Sequence, residues 1–230
     1  MKFNLKGIDT DLEIELKRSK EYFDWHNEGK PEELKTIIEF TSDPDSCPVG
    51  SVEFVEGALG FSPNPLTIPD ATPNEYLGRK RWVFEGNQVP RNIKQKEMFV
   101  KSILKIKSLE NGWYKPGDML DSPSTYECFE RFRAPILGEY RVFLGRQGQV
   151  LDIRNYIGFE TWPNVERVKE IASFLFSHYN RPFSFDVVVL EGGETYLLEL
   201  HDYWSLGLYG FSDLQKLPFL IWDWYKTIKR

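Results

Sequence analysis

The apolar positions of this chain fall into short periodic runs separated by turn residues. Leu12-Glu-Ile-Glu-Leu16 alternates at period two, which predicts a half-buried strand. Lys35 to Phe40 and Ser51 to Val55 read as two further strands, with Pro48-Val-Gly50 as the turn between them. Pro63, Pro65, Pro69 and Pro73 interrupt residues 61–79 and predict an extended connector, because proline removes a donor and clashes inside a helix. Met98-Phe-Val-Lys101 is a short apolar strand that ends on a lysine, and Asn111-Gly112 has the form of a hairpin turn. Glu139–Leu144 and Val150–Tyr156, joined by Arg146-Gln-Gly-Gln149, read as a strand pair. Within residues 162–179, Val165, Val168, Ile171, Ala172, Leu175, Phe176 and Tyr179 recur at spacings of three and four and predict an amphipathic helix. Asn164 or Thr161 is its N-cap and Pro182 follows its end. Ser212 to Arg230 predicts a terminal helix despite Pro218 near its start.

The third run from the end changes the picture. Ser184-Phe-Asp-Val-Val-Val189 and Tyr196-Leu-Leu-Glu-Leu-His201 are apolar strands joined by the turn Glu191-Gly-Gly-Glu194. Each carries one acid in a core run, so Asp186 and Glu199 face each other across the hairpin. A carboxylate in a core strand costs on the order of several kcal/mol unless something pairs with it. A divalent cation accounts for both, which points to an enzyme that uses magnesium. Arg141 and Arg154 lie on neighbouring predicted strands and can converge; the alternative is exposed pairing with Glu139 and Asp152.

Composition sets the class. The chain has 230 residues, 41% hydrophobic and 15% aromatic, enough for a well-cored globular protein with two or three lobes. A net charge of −6 argues against general nucleic-acid binding. Against that background the basic stretch 80–125, preceded by Arg79 and including Lys80, Arg81, Arg91, Lys94, Lys96, Lys101, Lys105, Lys107 and Lys115, is either a solvated surface or a lobe that closes over a triphosphate. Cys47 and Cys128 have no metal-ligand spacing, and no signal peptide or membrane span is evident, so the expectation is a reduced, cytoplasmic protein without a membrane partner. His26 and His178 read as surface or helix residues, and Trp82 and Trp113 as core.

In order, the Phe-Val-Lys strand, the Glu-Tyr-Arg strand, the helix, the Phe-Asp-Val strand, and the Glu-Leu-His strand leading to Ser205-Leu-Gly-Leu-Tyr-Gly210 resemble the ATP-grasp superfamily. With Pro48-Val-Gly-Ser-Val-Glu-Phe54 near the front, the chain is similar to the small ATP-grasp proteins of phages and bacteria. The resemblance spans about residues 48–211 and is most specific after residue 98. It implies an α+β fold in which two α+β lobes hold ATP, with residues 1–75 as a β-rich pre-ATP-grasp lobe, 76–125 as the basic small lobe and 126–230 as the metal-binding lobe.

The implied roles follow residue by residue. Lys101 contacts the nucleotide phosphates, with Lys107 as the second lysine and Lys105 its rival, and Glu130 on the ribose or adenine side. Arg141 and Arg154 hold the γ-phosphate and an acyl phosphate. Asp186 and Glu199 hold magnesium. His201 stands where many relatives carry asparagine; it ligates metal directly, contacts a metal-bound water, binds substrate or does acid/base work. Gly207 and Gly210 mark either a plain turn or a close backbone approach to phosphates or acceptor. The implied reaction is ATP- and magnesium-dependent ligation of a carboxylate to an amine, on small molecules or on a peptide or protein. A kinase-like phosphotransferase and a catalytically silent nucleotide-binding or interaction module are the alternatives.

Overall fold

The structure, a computed structural model, describes residues 1–7, 10–103, 111–158, 161–204 and 206–229. Lys105, Lys107 and Ser205 lie outside the described residues.

Three sheets carry the fold. The first is parallel, with β1 (Lys2–Leu5) between β2 (Glu39–Phe40) and β3 (Cys47–Val49). Its helices are α1 (Asp11–His26) and α2 (Val52–Leu59). Two expected strands are therefore helices. The run Leu12–Leu16 is the start of α1, because Thr10 and Glu13 form a capping box: the Thr10 hydroxyl accepts from Glu13 N at 3.3 Å, and Glu13 Oε2 accepts from Thr10 N at 3.1 Å. Leu12, Leu16 and Phe23 then share one buried face. Ser51 caps α2, which ends at Gly60 in the left-handed conformation with φ 75°. Pro48 and Val49 are strand rather than turn, and only Glu39–Phe40 of the predicted strand from Lys35 pairs.

The other end of the chain completes this core. Helix α5 (Leu217–Ile228) packs on α1 and β3, and Trp204, Leu217 and Trp224 are buried with Phe3, Leu16 and Val49. Trp204 and Trp224 stack at 5.8 Å. The proline-rich connector carries a single short turn of helix, α3 (Asn74–Leu77).

The second sheet is antiparallel, in the order β4-β7-β5-β6: β4 (Arg81–Gln88), β5 (Met98–Ser102), β6 (Gly112–Tyr114) and β7 (Met119–Phe129). Gly112 does not turn the chain; it opens β6 and pairs with Val100. β7 runs unbroken to Phe129, so residues 130–135 link this sheet to the third.

The third sheet is also antiparallel, in the order β11-β10-β8-β9: β8 (Ile136–Leu144), β9 (Val150–Gly158), β10 (Ser184–Leu190) and β11 (Thr195–His201). Helix α4 (Val165–Tyr179) matches the predicted helix; the Asn164 side chain caps it by accepting from Arg167 N at 3.0 Å. Val168, Ile171, Ala172 and Leu175 pack on Tyr140, Val142, Phe185, Val187 and Leu197. One face of this sheet is thereby closed. The alternating residues Glu139, Arg141 and Asp186 point to the other face, toward the second sheet. Helices segregated from antiparallel sheets make this an α+β fold. No described helix is long and apolar enough to cross a membrane.

Candidate nucleotide and metal site

Strand register builds the centre of the site. Asp186 on β10 pairs laterally with Arg141 on β8 and with Glu199 on β11, and Arg141 pairs with Arg154 on β9. Four neighbouring strands thus set Arg154, Arg141, Asp186 and Glu199 in one row. His201 lies two residues beyond Glu199, on the same side.

Asp186 has 0% of its surface exposed, and its charge is met by a fork. Arg141 donates through Nε to Oδ1 at 2.8 Å and through Nη2 to Oδ2 at 2.9 Å, while Nη1 donates to the Gly207 carbonyl at 3.0 Å. His201 Nε2 lies 3.0 Å from Asp186 Oδ2, 3.1 Å from Glu199 Oε1 and 3.0 Å from Arg141 Nη2. With a proton, that nitrogen donates to the carboxylates; without one, it accepts from Arg141. The Tyr156 hydroxyl sits 2.8 Å from Glu139 Oε2 and 3.0 Å from Asp186 Oδ2, and its single proton serves one carboxylate at a time. Lys101, at the end of β5, reaches across to Glu199 Oε2 at 3.3 Å and lies 3.8 Å from Glu127 Oε2.

These contacts decide the local titration. Burial pushes the Asp186 carboxyl up, but the Arg141 fork and His201 outweigh it and hold it below the ordinary carboxylate range. Glu199 is likewise raised by burial and more strongly lowered by His201 and Lys101. Glu139 moves the other way: burial and the charges of Asp186 and Glu199 raise it, and the Tyr156 hydrogen bond and Arg79 oppose this only in part. Burial, with the charges of Asp186 and Glu139, raises Tyr156 far above the usual phenol range.

Asp186, Glu199 and His201 each bring a ligand atom within 4.8 Å of the others. The two carboxylates suit a magnesium ion that completes its shell with water and phosphate oxygens. Among the described residues Asp186 Oδ1 is met by Arg141 alone, and the Glu199 side chain is 36% exposed, which leaves Glu199 open to a ligand. The imidazole is the poorer magnesium donor and is better suited to holding the two acids.

Beside this group lies a cleft of about 700 Å³ between the second and third sheets. Phe99, Lys101 and Trp113 form one wall, Leu198, Glu199 and Glu139 the other, and the link through Arg131, Phe132 and Arg133 its back. Its walls are mainly apolar, with charged groups among them, which suits a flat heterocycle carrying phosphates. Trp113, expected in the core, is 44% exposed and lines this cleft.

Residues 76–217 match the ATP-grasp domain of R2K clade family 2. The chain belongs to this ATP-grasp family. Among solved structures, it is similar to a RimK domain ATP-grasp protein from Sphaerobacter thermophilus DSM 20745, with 10% identity, a TM-score of 0.50 and 97% of each chain covered. It is also similar to the D-cycloserine synthetase DcsG, with 10% identity, a TM-score of 0.47 and coverage of 96% of this chain and 98% of that one. D-alanyl-alanine synthetase A from Vibrio cholerae O1 biovar eltor str. N16961 gives 12% identity and a TM-score of 0.43, covering 100% of this chain and 98% of that one. At 10% identity the likeness to the Sphaerobacter thermophilus protein is one of fold alone. No curated protein matches the sequence significantly.

Within this ATP-grasp fold the expected site residues separate into two groups. Lys101, Arg141, Asp186, Glu199 and His201 form one connected network. Arg154 and Glu130 stand outside it. Arg154 is opposite Arg141 in register, yet its guanidinium turns to Asp152, with Nε 2.7 Å and Nη2 2.6 Å from Oδ2. Glu130 accepts from the Gln95 side chain and, at 3.3 Å, from Lys80 N, and it faces an outer depression rather than the cleft.

Sequence reading missed two members of the site, Glu127 and Tyr156, and named a third, Arg79, only as one cation of the basic stretch. Glu127 is an acid in the apolar run Tyr126–Phe129, the same signal that exposed Asp186; Arg81 Nη2 meets it at 2.7 Å. Tyr156 carried no signal, since its role depends on the pairing of β9 with β8. Arg79 stacks its guanidinium on Phe129 at 4.3 Å and on Phe132 at 4.2 Å, at the cleft edge. Burial pulls Arg79 down to about 10, against the charges of Glu127 and Glu139, and its Nε has no hydrogen-bond partner among the described residues. Such an atom beside a cleft is suited to an incoming anion.

Proposed function

We propose that the protein is an ATP- and magnesium-dependent carboxylate–amine ligase that works through an acyl phosphate. The observation that carries this reading is Lys101 meeting Glu199, beside the Asp186–His201 pair, in the lining of the inter-sheet cleft. In this reading a substrate carboxylate oxygen attacks the γ-phosphorus of ATP and ADP leaves. An amine nitrogen then attacks the acyl carbon, phosphate leaves, and the nitrogen loses a proton.

The residues would divide the work as follows. Lys101 and Arg79 bind phosphate oxygens, with Lys105 and Lys107 as further candidates, and Phe99, Phe129 and Trp113 flank the base. Asp186 and Glu199, steadied by His201, would hold magnesium, which supplies charge neutralisation for phosphoryl transfer. Arg141 orients Asp186 and, through its grip on the Gly207 carbonyl, the loop after β11. Arg154, less deeply buried, would exchange Asp152 for the substrate carboxylate or acyl phosphate. Lobes corresponding to the second and third sheets would close over ATP, with residues 130–135 as the hinge and Glu130 on its outer side.

The test compares wild type with Lys101→Met in thermal unfolding with and without saturating magnesium-ATP. Ligand at about a hundred times its dissociation constant stabilises by roughly 2.7 kcal/mol, or on the order of 5–10 °C for a chain of this size. The reading expects a magnesium-dependent rise in wild type that is lost in the variant, and amine-dependent release of phosphate when carboxylates are supplied. A wild-type midpoint indifferent to magnesium-ATP would sink it.

A further inference from the structure

The basic residues that the nucleotide and metal site leaves unused collect on the outer side of the hinge. A depression of about 700 Å³ there is lined by Lys80, Lys94, Lys96, Arg131 and Arg133, against Glu97 and Glu130 alone, an excess of three positive charges. The chain as a whole carries −6, so this concentration runs against the global field. Its acids are already engaged: Glu130 by Gln95 and Lys80, and Glu97 by Arg131 at 3.6 Å. Among the described residues, Lys94, Lys96 and Arg133 have no carboxylate partner. Uncompensated like charges repel one another, and an anion that enters such a hollow relieves that repulsion.

The hollow is one stretch of a longer path. At one end Lys80, Lys94 and Gln95 also line an adjoining recess with the apolar residues Trp82, Val83, Pro90 and Ile93, and Val83 is 43% exposed. At the other end Arg131 and Arg133 also line the inter-sheet cleft. An apolar recess, a cationic middle and the cleft therefore share walls in sequence.

We infer that this trough docks an acidic peptide segment, one that carries carboxylates beside an apolar side chain. Resting on the ligase reading in this respect alone, the trough leads a carboxylate of that peptide to the cleft for activation. The apolar recess takes the aliphatic side chain and the free cations take its flanking carboxylates. Single-stranded nucleic acid fits less well, because it needs exposed rings on which bases stack. Of the two tryptophans near the path, Trp82 packs against the core of the second sheet, and Trp113, with Arg131 4.1 Å from its ring, lines the inter-sheet cleft and not the trough. A long polyanion also meets the net negative charge of the rest of the chain, whereas a short acidic segment meets the local excess.

The experiment is fluorescence anisotropy of a fluorescein-labelled peptide of repeated Glu-Glu-Leu triplets, without nucleotide and at low ionic strength. The competitors are a peptide with glutamine in place of glutamate and an oligothymidylate of equal charge. The variant is Lys94→Glu/Lys96→Glu, two exposed positions outside the cleft lining. The acidic peptide should bind wild type, lose affinity as salt rises, and bind the variant at least about tenfold more weakly. Equal binding to the variant, or tighter binding of oligothymidylate than of the peptide, would overturn the inference. Because no nucleotide is present, the result is independent of the magnesium-ATP test. A magnesium-ATP shift without peptide binding removes the trough and leaves the ligase reading, and peptide binding without the shift does the reverse.

Discussion

Replacing Asp186 by asparagine isolates what the buried fork is worth. The Asp186 side chain is 1% exposed and that of Arg141 6%, so the guanidinium has no water to turn to when its partner is neutralised. The amide keeps one acceptor oxygen but points N–H groups at Arg141, His201 and Tyr156, which were arranged around a carboxylate. Breaking a buried pair from one side costs about 3–5 kcal/mol. At about 2–4 °C per kcal/mol for a chain of this length, the midpoint should fall by roughly 6–20 °C. Urea unfolding followed by tryptophan fluorescence and calorimetry both read this, since Trp204 and Trp224 lie in the core. Arg141→Met/Asp186→Leu removes both charges at similar volume and should recover most of the loss, because no uncompensated ion remains. A single variant within about 1 kcal/mol of wild type, or a double variant as unstable as the sum of the singles, would refute the reasoning.

Other outcomes follow from the same contacts. Asp186 and Glu199 are held below the carboxylate range when folded, so the stability they contribute is complete above an unfolded value of about 4 and is lost as pH falls below it; acid titration of Asp186→Asn should show a shallower decline than wild type. Glu139 is shifted upward, so it opposes folding above its unfolded value; Glu139→Gln should raise the midpoint at neutral pH, with the gain vanishing near pH 4. Gly78 has φ 61°, and a Cβ there would lie 2.5 Å from the Tyr196 ring, so Gly78→Ala should cost more than about 1 kcal/mol in urea unfolding. Phe211 stacks on Phe143 at 4.3 Å and anchors the loop after β11; Phe211→Ala should destabilise by about 3–5 kcal/mol.

The site was legible where one strand carried its own signal. Acids inside apolar runs located Asp186 and Glu199, and alternation within β8 and β9 located Arg141, because strand periodicity fixes which side chains share a face. The direction of Arg154 was not legible: register set it beside Arg141, and a local contact two residues away, Asp152, captured its guanidinium. Arg79 was legible only as one cation of the basic stretch, because its setting comes from two phenylalanines some fifty residues downstream. Leu12–Leu16 misled because apolar residues at i and i+4 satisfy both periods over so short a window. The deciding sign stood just outside it, in Thr10 and its partner Glu13. The shared core of α1, β3 and α5 joins the two ends of the chain, a long-range pairing that no local pattern encodes.

The two thiols offer a native reporter of motion. Cys47 sits in β3 of the first sheet and Cys128 in β7 of the second, both fully covered. Burial raises Cys47 well above the usual thiol range and pushes Cys128 up to about 12, so neither presents a thiolate in the folded state. Alkylation therefore proceeds only through opening, and mass spectrometry of each cysteine times the breathing of one sheet independently of the other. A nucleotide gripped by Lys101 should slow labelling at Cys128, whose strand pairs directly with β5, and leave Cys47 on its own clock.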